Sequence, residues 1–459
     1  MKLKQFGSLY AALLLSVFTL FTAAIFHRPF LGETSTWYYR LISEHRVFYD
    51  KAFYRYADSL LHLPSLFLVN ISPDFNIAAI YTLHFIYLFH PIVSLAFVHW
   101  ILKKKGRPDL FLFPVLSFAT ATMPALGESI TMAALALSIF WPLFFLILFR
   151  NSKSKRELVT ILCLFAMQIF SYEPAILFFM IFSGIALSDI FLFKKNSRAF
   201  NRLVIALSVA GTGLMTYVIT SPRRQHALPA FFESFKHNFD GYRTFCLFSL
   251  LLFIPLVSLV FLKRERVKKV TLTFLLGAFV ANCFYFLSRQ SDELWGPYVA
   301  RTTAIPFGFF IAVFCYVFFR KQQSSEWIGT AVGRAAVSML TLMVLASSLY
   351  DWNLTKRWNQ HAVIFHNLVN DSAGCRHISK ADMRADFAAT PAYAFAAQSV
   401  LFQVLDKVDP IRTLIFFDDK STQRNPCDNF EFGEFTANQG SSINIEKSYL
   451  KFSEKIFKK

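Results

Sequence analysis

The chain has 459 residues, 55% of them apolar and only 17% charged, with a net charge of +18. Soluble proteins carry about 25% charged residues. A chain with 56 phenylalanines is neither disordered, nor a coiled coil, nor a disulfide-stapled mini-protein. A polytopic membrane protein remains, and the positive charge must be located before it can be read as a nucleic-acid signal.

Apolar runs near membrane-crossing length fall at 6–26, 76–102, 108–126, 130–149, 158–171, 175–193, 203–220, 244–262, 270–287, 302–319 and 335–350. They predict about eleven transmembrane helices, because a backbone in lipid must satisfy its hydrogen bonds internally. The first run follows Met1-Lys2-Leu3-Lys4 and is too long for the apolar core of a cleaved leader, so it is read as a retained span.

The connecting segments alternate in charge. Segments 1–5, 103–107, 150–157, 194–202, 263–269 and 320–334, with the acids beside them, hold 22 basic and 5 acidic residues. The alternate loops, 27–75, 124–129, 171–174, 221–243 and 288–301, hold 11 of each, and the tail nets +1. Nearly all the charge therefore lies on one side, as the positive-inside rule describes. It records topology and implies no nucleic-acid partner. The expectation is a multi-pass protein of the plasma (inner) membrane, with a cytoplasmic N-terminus and an extracytoplasmic tail. On this reading residues 1–350 form the transmembrane domain and 351–459 an outer C-terminal domain.

The first outer loop, 27–75, mixes aromatics (Trp37, Tyr38, Tyr39, Phe48, Tyr49) with Arg40, Arg46, Lys51 and Arg55. Its spacing predicts amphipathic juxtamembrane helices. The next two outer loops are tight turns, Met123-Pro124-Ala125-Leu126-Gly127-Glu128-Ser129 and Ser171-Tyr172-Glu173-Pro174. Loop 221–243 contributes Arg223 and Arg224, and loop 288–301 ends on Tyr298 and Arg301. In the tail, Trp352–Asn370 and Ala392–Leu405 predict helices. Leu414-Ile415-Phe416-Phe417 and Phe430-Glu431-Phe432 suit short strands, which makes a small α/β domain. Cys375 and Cys427 are the tail's two cysteines; an exported compartment lets them pair, and two free thiols are the alternative.

Carboxylates at membrane depth are functional candidates by default. Glu128 and Glu173 each head a span at the outer surface, where they are either capping acids favoured by the helix dipole or parts of a site. Glu33 lies seven residues past the first span. Arg301 precedes a span and suits a lipid phosphate or a headgroup anchor. Tyr298 is a belt aromatic or a substrate platform.

This layout, an acid-bearing first outer loop with juxtamembrane helices, many spans and an outer C-terminal domain, resembles the GT-C superfamily of integral-membrane glycosyltransferases. That superfamily includes the O-antigen-modifying glucosyltransferases. Members often carry an acidic pair after the first span; here Leu31-Gly32-Glu33-Thr34 offers one acid. The resemblance implies a polyprenyl-phosphate-linked sugar as donor and an extracytoplasmic glycan, lipid or protein as acceptor. Glu33 would be the general base. Glu128 or Glu173 would position substrate or a divalent metal such as Mg or Mn. Arg301, with Arg40, Arg223, Arg224 and Tyr298, would meet the substrate and its phosphate. An O-antigen polymerase or ligase, a lipid-linked-sugar flippase and a structural scaffold are the alternatives. A transporter predicts charges deep in mid-span and an internal repeat, and neither stands out.

Overall fold

The computed structural model describes residues 6–30, 34–45, 56–121, 128–150, 154–193, 198–220, 241–288, 297–322, 324–371, 374–378, 392–406 and 413–417. Fourteen described α-helices follow in chain order. They are α1 (Gly7–Ile25), α2 (Thr34–Glu44), α3 (Tyr56–Ile71), α4 (Asn76–Lys104) and α5 (Leu112–Ala121). Next come α6 (Glu128–Leu148), α7 (Lys155–Ile169), α8 (Ile176–Ser188), α9 (Arg198–Thr220) and α10 (Gly241–Ser258). The last four are α11 (Glu265–Ser288), α12 (Pro297–Lys321), α13 (Ala331–Asn370) and α14 (Ala392–Leu405).

Among the described residues seven helices are long and apolar enough to cross a membrane, against about eleven spans expected. Of the remaining runs, three contain the described apolar helical stretches Pro108–Thr120, Ala133–Leu148 (within α6) and Ile176–Leu192. The run at 158–171 becomes the 15-residue α7, which begins on the cap Ser154 and carries Arg156 and Glu157 in its first turn. A fourth short apolar helix, Ser59–Ile71, lies where the first outer loop was expected to be interfacial.

Phenylalanine packing fills the bundle. Phe140 of α6 stacks on Phe178 of α8 at 4.0 Å, and Phe113 of α5 meets Phe314 and Phe318 of α12 edge-on or tilted. Outside, Phe191, Phe274 and Phe284 are each about 70% exposed. An outer surface with such residues needs lipid around it, so the chain is an all-helical-bundle membrane protein.

Specific polar contacts join the helices. Ser16 of α1 meets Ser348 of α13 at 2.6 Å, and Asn282 of α11 donates to the Phe245 carbonyl and to Ser249 of α10. Small hydroxyl residues let helix axes approach closely where apolar burial supplies no drive. Gly333, at the start of α13, lies tight against the 3-10 turn before it: a Cβ there would lie 2.4 Å from the Trp327 carbonyl oxygen.

The basic segments meet at one end. Lys105 donates to the Phe149 carbonyl at 2.9 Å and pairs with Glu157, and Arg320 pairs with Asp189. The Arg150 guanidinium lies over the Phe200 ring and Lys321 over Phe261. Arg107 grips the fully buried Asp109 through two 2.9 Å bonds, and the Trp327 indole donates to the same carboxylate at 2.9 Å. Five connecting segments far apart in sequence are thus tied into one layer.

Helix α13 is the longest element. Its 40 residues span about 60 Å at 1.5 Å per residue, roughly twice a bilayer's apolar core. Thr330 caps it by accepting from the Gly333 N–H. It runs without a break through the boundary expected at residue 350. Beyond it, β1 (Gly374–Ile378) and β2 (Thr413–Phe417) pair in parallel, with Cys375 opposite Leu414. The described tail therefore amounts to the end of α13, one helix packed on α2 and β2, and one two-stranded sheet, which falls short of the separate α/β domain expected. Phe430–Phe432 and Cys427 lie outside the described residues, as does the Cys375 side chain.

Candidate functional site

At the end of the bundle away from the basic layer, the chain makes a sharp corner after α1. His27 adopts a left-handed backbone with φ 53°, which a non-glycine residue takes only when its surroundings hold it. The restraints come from helices distant in sequence. The Trp358 indole donates to the Phe26 carbonyl at 2.8 Å, and the Gln398 amide donates to the Phe30 carbonyl at 2.8 Å. Arg28, fully buried in the following 3-10 turn, donates through Nη1 to Thr355 Oγ1 at 2.7 Å and to the Asp351 backbone carbonyl at 3.1 Å. The same Nη1 stands 2.5 Å from the Asp351 carboxylate. Its Nε and Nη2 are buried with no partner among the described residues.

The corner delivers His27 to a chain of hydrogen-bonding rings. His27 Nδ1 is 3.0 Å from His84 Nε2, and His84 Nδ1 is 2.7 Å from the Tyr38 hydroxyl. On the other side, Tyr81 OH lies 3.3 Å from His27 Nε2. His84 and Tyr81 are one turn apart on α4, and Tyr38 comes from α2. Phe30 packs against His27, His84 and Tyr38 with ring centroids 5.0 to 5.5 Å away. His84 and Tyr38 are fully buried, while His27 is partly open. Burial holds the His27 imidazole down at about 4, against the opposing pull of the Asp406 carboxylate. Burial also raises the Tyr38 hydroxyl well above the usual phenol range. The imidazole is therefore neutral at neutral pH, and burial makes it a weaker base than a free imidazole.

Two further pairs border this chain. His62 of α3 bonds to the Tyr87 hydroxyl, with Trp37 packed on both rings at 6.1 Å. His366 of α13 bonds to Asp406 at the end of α14, and Phe402 joins His366 to Phe30.

Most of the residues singled out from sequence lie outside the described residues, wholly or in their side chains. Glu128 is the first residue of α6 and Glu173 opens a 3-10 turn, so both head helical segments as read; their side chains lie outside the described residues. Arg301 and Tyr298 lie in the first turns of α12, again without described side chains. Arg40 is half-buried on α2. Glu33, Arg223 and Arg224 lie outside the described residues, though Glu33 falls between Phe30 and Thr34, which are both buried. Among the described residues no group of three or more His, Cys, Asp or Glu has the arrangement of a metal site. Sequence reasoning passed over His27, Arg28, Tyr38, Tyr81, His84 and Asp351. A usable signal existed in His84, an ionisable residue inside an apolar run.

No family model, curated protein or solved structure matches the chain.

Proposed function

We propose that the chain is an integral-membrane glycosyltransferase, which moves a sugar from a polyprenyl-phosphate donor to a hydroxyl of an extracytoplasmic glycan, lipid or protein. The observation that carries this reading is the corner after α1. There a neutral, partly open imidazole backed by buried rings adjoins in sequence the Arg28 guanidinium, whose Nη1 is held by Asp351 and whose Nε and Nη2 are buried without a partner among the described residues. Displacement at an anomeric carbon needs both a proton acceptor for the incoming hydroxyl and positive charge for the departing phosphate.

In this proposal the charge split orients the chain in the plasma (inner) membrane. The N-terminus is cytoplasmic, and residues 351–459 lie outside as a small α/β domain. The shorter apolar helices complete about eleven spans. Glu33 is the sequence's candidate for the base. Glu128 and Glu173 would position the sugar or a divalent ion, Mg or Mn, through hard oxygen ligands. Arg301, Arg40, Arg223, Arg224 and Tyr298 would meet the donor at the membrane surface.

Deleting the gene and analysing surface glycans by mass spectrometry tests the reading. Loss of a single sugar supports it. Shortened chains would favour a polymerase, and accumulated inner-leaflet precursor a flippase.

A further inference from the structure

We infer that His27, backed by His84 and Tyr38, is the group that takes the proton from the acceptor hydroxyl. The inference rests on the transferase reading and replaces Glu33 as the base. It starts from geometry. His27 Nε2 is the outermost nitrogen of the chain and is held by Tyr81 OH at 3.3 Å, the longest of the three contacts. A substrate hydroxyl can take the place of so long a bond, whereas the two inner contacts are short and sealed by Phe30.

The chain has two proton arrangements on the same heavy atoms. In one, Tyr38 donates to His84, His84 to His27, and His27 Nε2–H to Tyr81. In the other each ring proton sits on the opposite nitrogen: His27 Nδ1–H donates to His84 and His84 Nδ1–H to Tyr38. That leaves a lone pair on His27 Nε2, on the side of Tyr81. Only the second can accept. The step then balances. The acceptor O–H bond breaks and its proton goes to His27 Nε2. The oxygen forms a bond to the anomeric carbon, and the bond from that carbon to the lipid-phosphate oxygen breaks with its electron pair leaving on the phosphate. The extra proton is shared with His84 through the Nδ1–H contact.

Burial opposes protonation of His27, and nearby negative charge is what offsets it at the moment of reaction. Asp406, just after α14, pulls its proton affinity upward, and an anionic lipid phosphate docked at the partly open His27 would add to that pull. His84 and Tyr81 of α4 are its direct partners. His84 and Tyr38 act through His27 and are positioning residues.

The test uses the full chain in its own membrane, with surface glycans read by mass spectrometry and protein abundance by immunoblot. The set is the gene deletion, His27→Ala with and without added imidazole, His27→Gln, and Glu33→Gln. Expected are loss of one sugar in the deletion and a fall in transfer of about 10²–10⁴-fold in His27→Ala and His27→Gln at normal abundance. Free imidazole should partly restore His27→Ala, an effect that a merely structural histidine would not give. Full transfer by both His27 variants, or loss in His27→Ala that imidazole leaves untouched at normal abundance, overturns the assignment. Abolition of transfer by Glu33→Gln with His27→Gln active would return the base to Glu33. Unchanged glycans in the deletion defeat the transferase reading itself, and this inference with it.

Discussion

Arg28 Nη1 lies 2.5 Å from the carboxylate of Asp351, with both side chains shielded from solvent, though the two are 323 positions apart in sequence. The pair joins the corner after α1 to the helix that passes beside it. Buried ion pairs add little net stability but are costly to break singly, because one charge is left without a partner. Arg28→Ala or Asp351→Ala alone should cost about 3–5 kcal/mol, and the double change Arg28→Met with Asp351→Leu should recover most of it. Thermal unfolding of the purified variants checks this; an additive double variant would refute the coupling.

His27 makes stability depend on pH with a definite sign. Its folded-state value, about 4, lies below the ordinary 6.5, so the unfolded chain binds the extra proton more readily. The contribution is complete above about pH 6.5 and is lost as pH falls towards 4, an effect on the order of 3 kcal/mol. His84, Tyr81, Asp406 and Arg28 face or flank the ring, and the Asp406 carboxylate opposes the shift. His27→Gln should flatten the fall in unfolding midpoint between pH 6.5 and pH 4; an unchanged slope would assign the dependence elsewhere.

Gly333 leaves no room for a side chain. A Cβ would meet the Trp327 carbonyl oxygen at 2.4 Å and Ile328 backbone atoms at 2.5 and 2.6 Å. Backbone cannot swing aside as a side chain can, so Gly333→Ala should cost about 1–3 kcal/mol. It should also loosen the turn that delivers Trp327 to Asp109. At Gly308 the nearest atom is the tip of the Leu137 side chain, and Gly308→Ala should cost less. Unfolding midpoints of the two variants give the ranking, and the reverse order would contradict it.

Topology has a direct readout. A reporter fused after Lys459 should be active only outside the cytoplasm, given the charge split between alternate loops. A reporter fused within the basic segment 263–269 should behave in the opposite way. Cytoplasmic activity of the first fusion would overturn the orientation.

The long apolar helices were legible because lipid permits only runs of one composition, and α1, α4 and α9 follow their runs closely. Helix α6 also follows its run, whereas the run 108–126 opens in a 3-10 turn before α5 and the run 175–193 passes from α8 into a π-helical turn at Asp189–Phe193. An apolar run shows which residues avoid water but not where the backbone leaves the helix, as it does in the 3-10 turns at Pro108–Phe111 and Glu173–Ala175. The starts at Glu128 and Glu173 were visible because helix N-termini favour acids. The corner itself was hidden. His27 and His84 are 57 residues apart, and Gln398 reaches back 368 residues to Phe30. Nothing local in composition or periodicity marks such partners.

Helix α13 contains no proline, so along its axis it behaves as a stiff rod. Thr330 and the Trp327 turn hold one part of it to the basic layer, and Asp351, Thr355 and Trp358 hold another to the corner. From Thr330 to Asp351 is about 32 Å at 1.5 Å per residue. A rod pinned at both places transmits displacement with little loss. A push of 1 or 2 Å (~2 Å at most, the usual size of helix shifts) at the basic face would shift Arg28 and the His27 turn against α4. The opposite faces of the bundle are mechanically in series through a single helix.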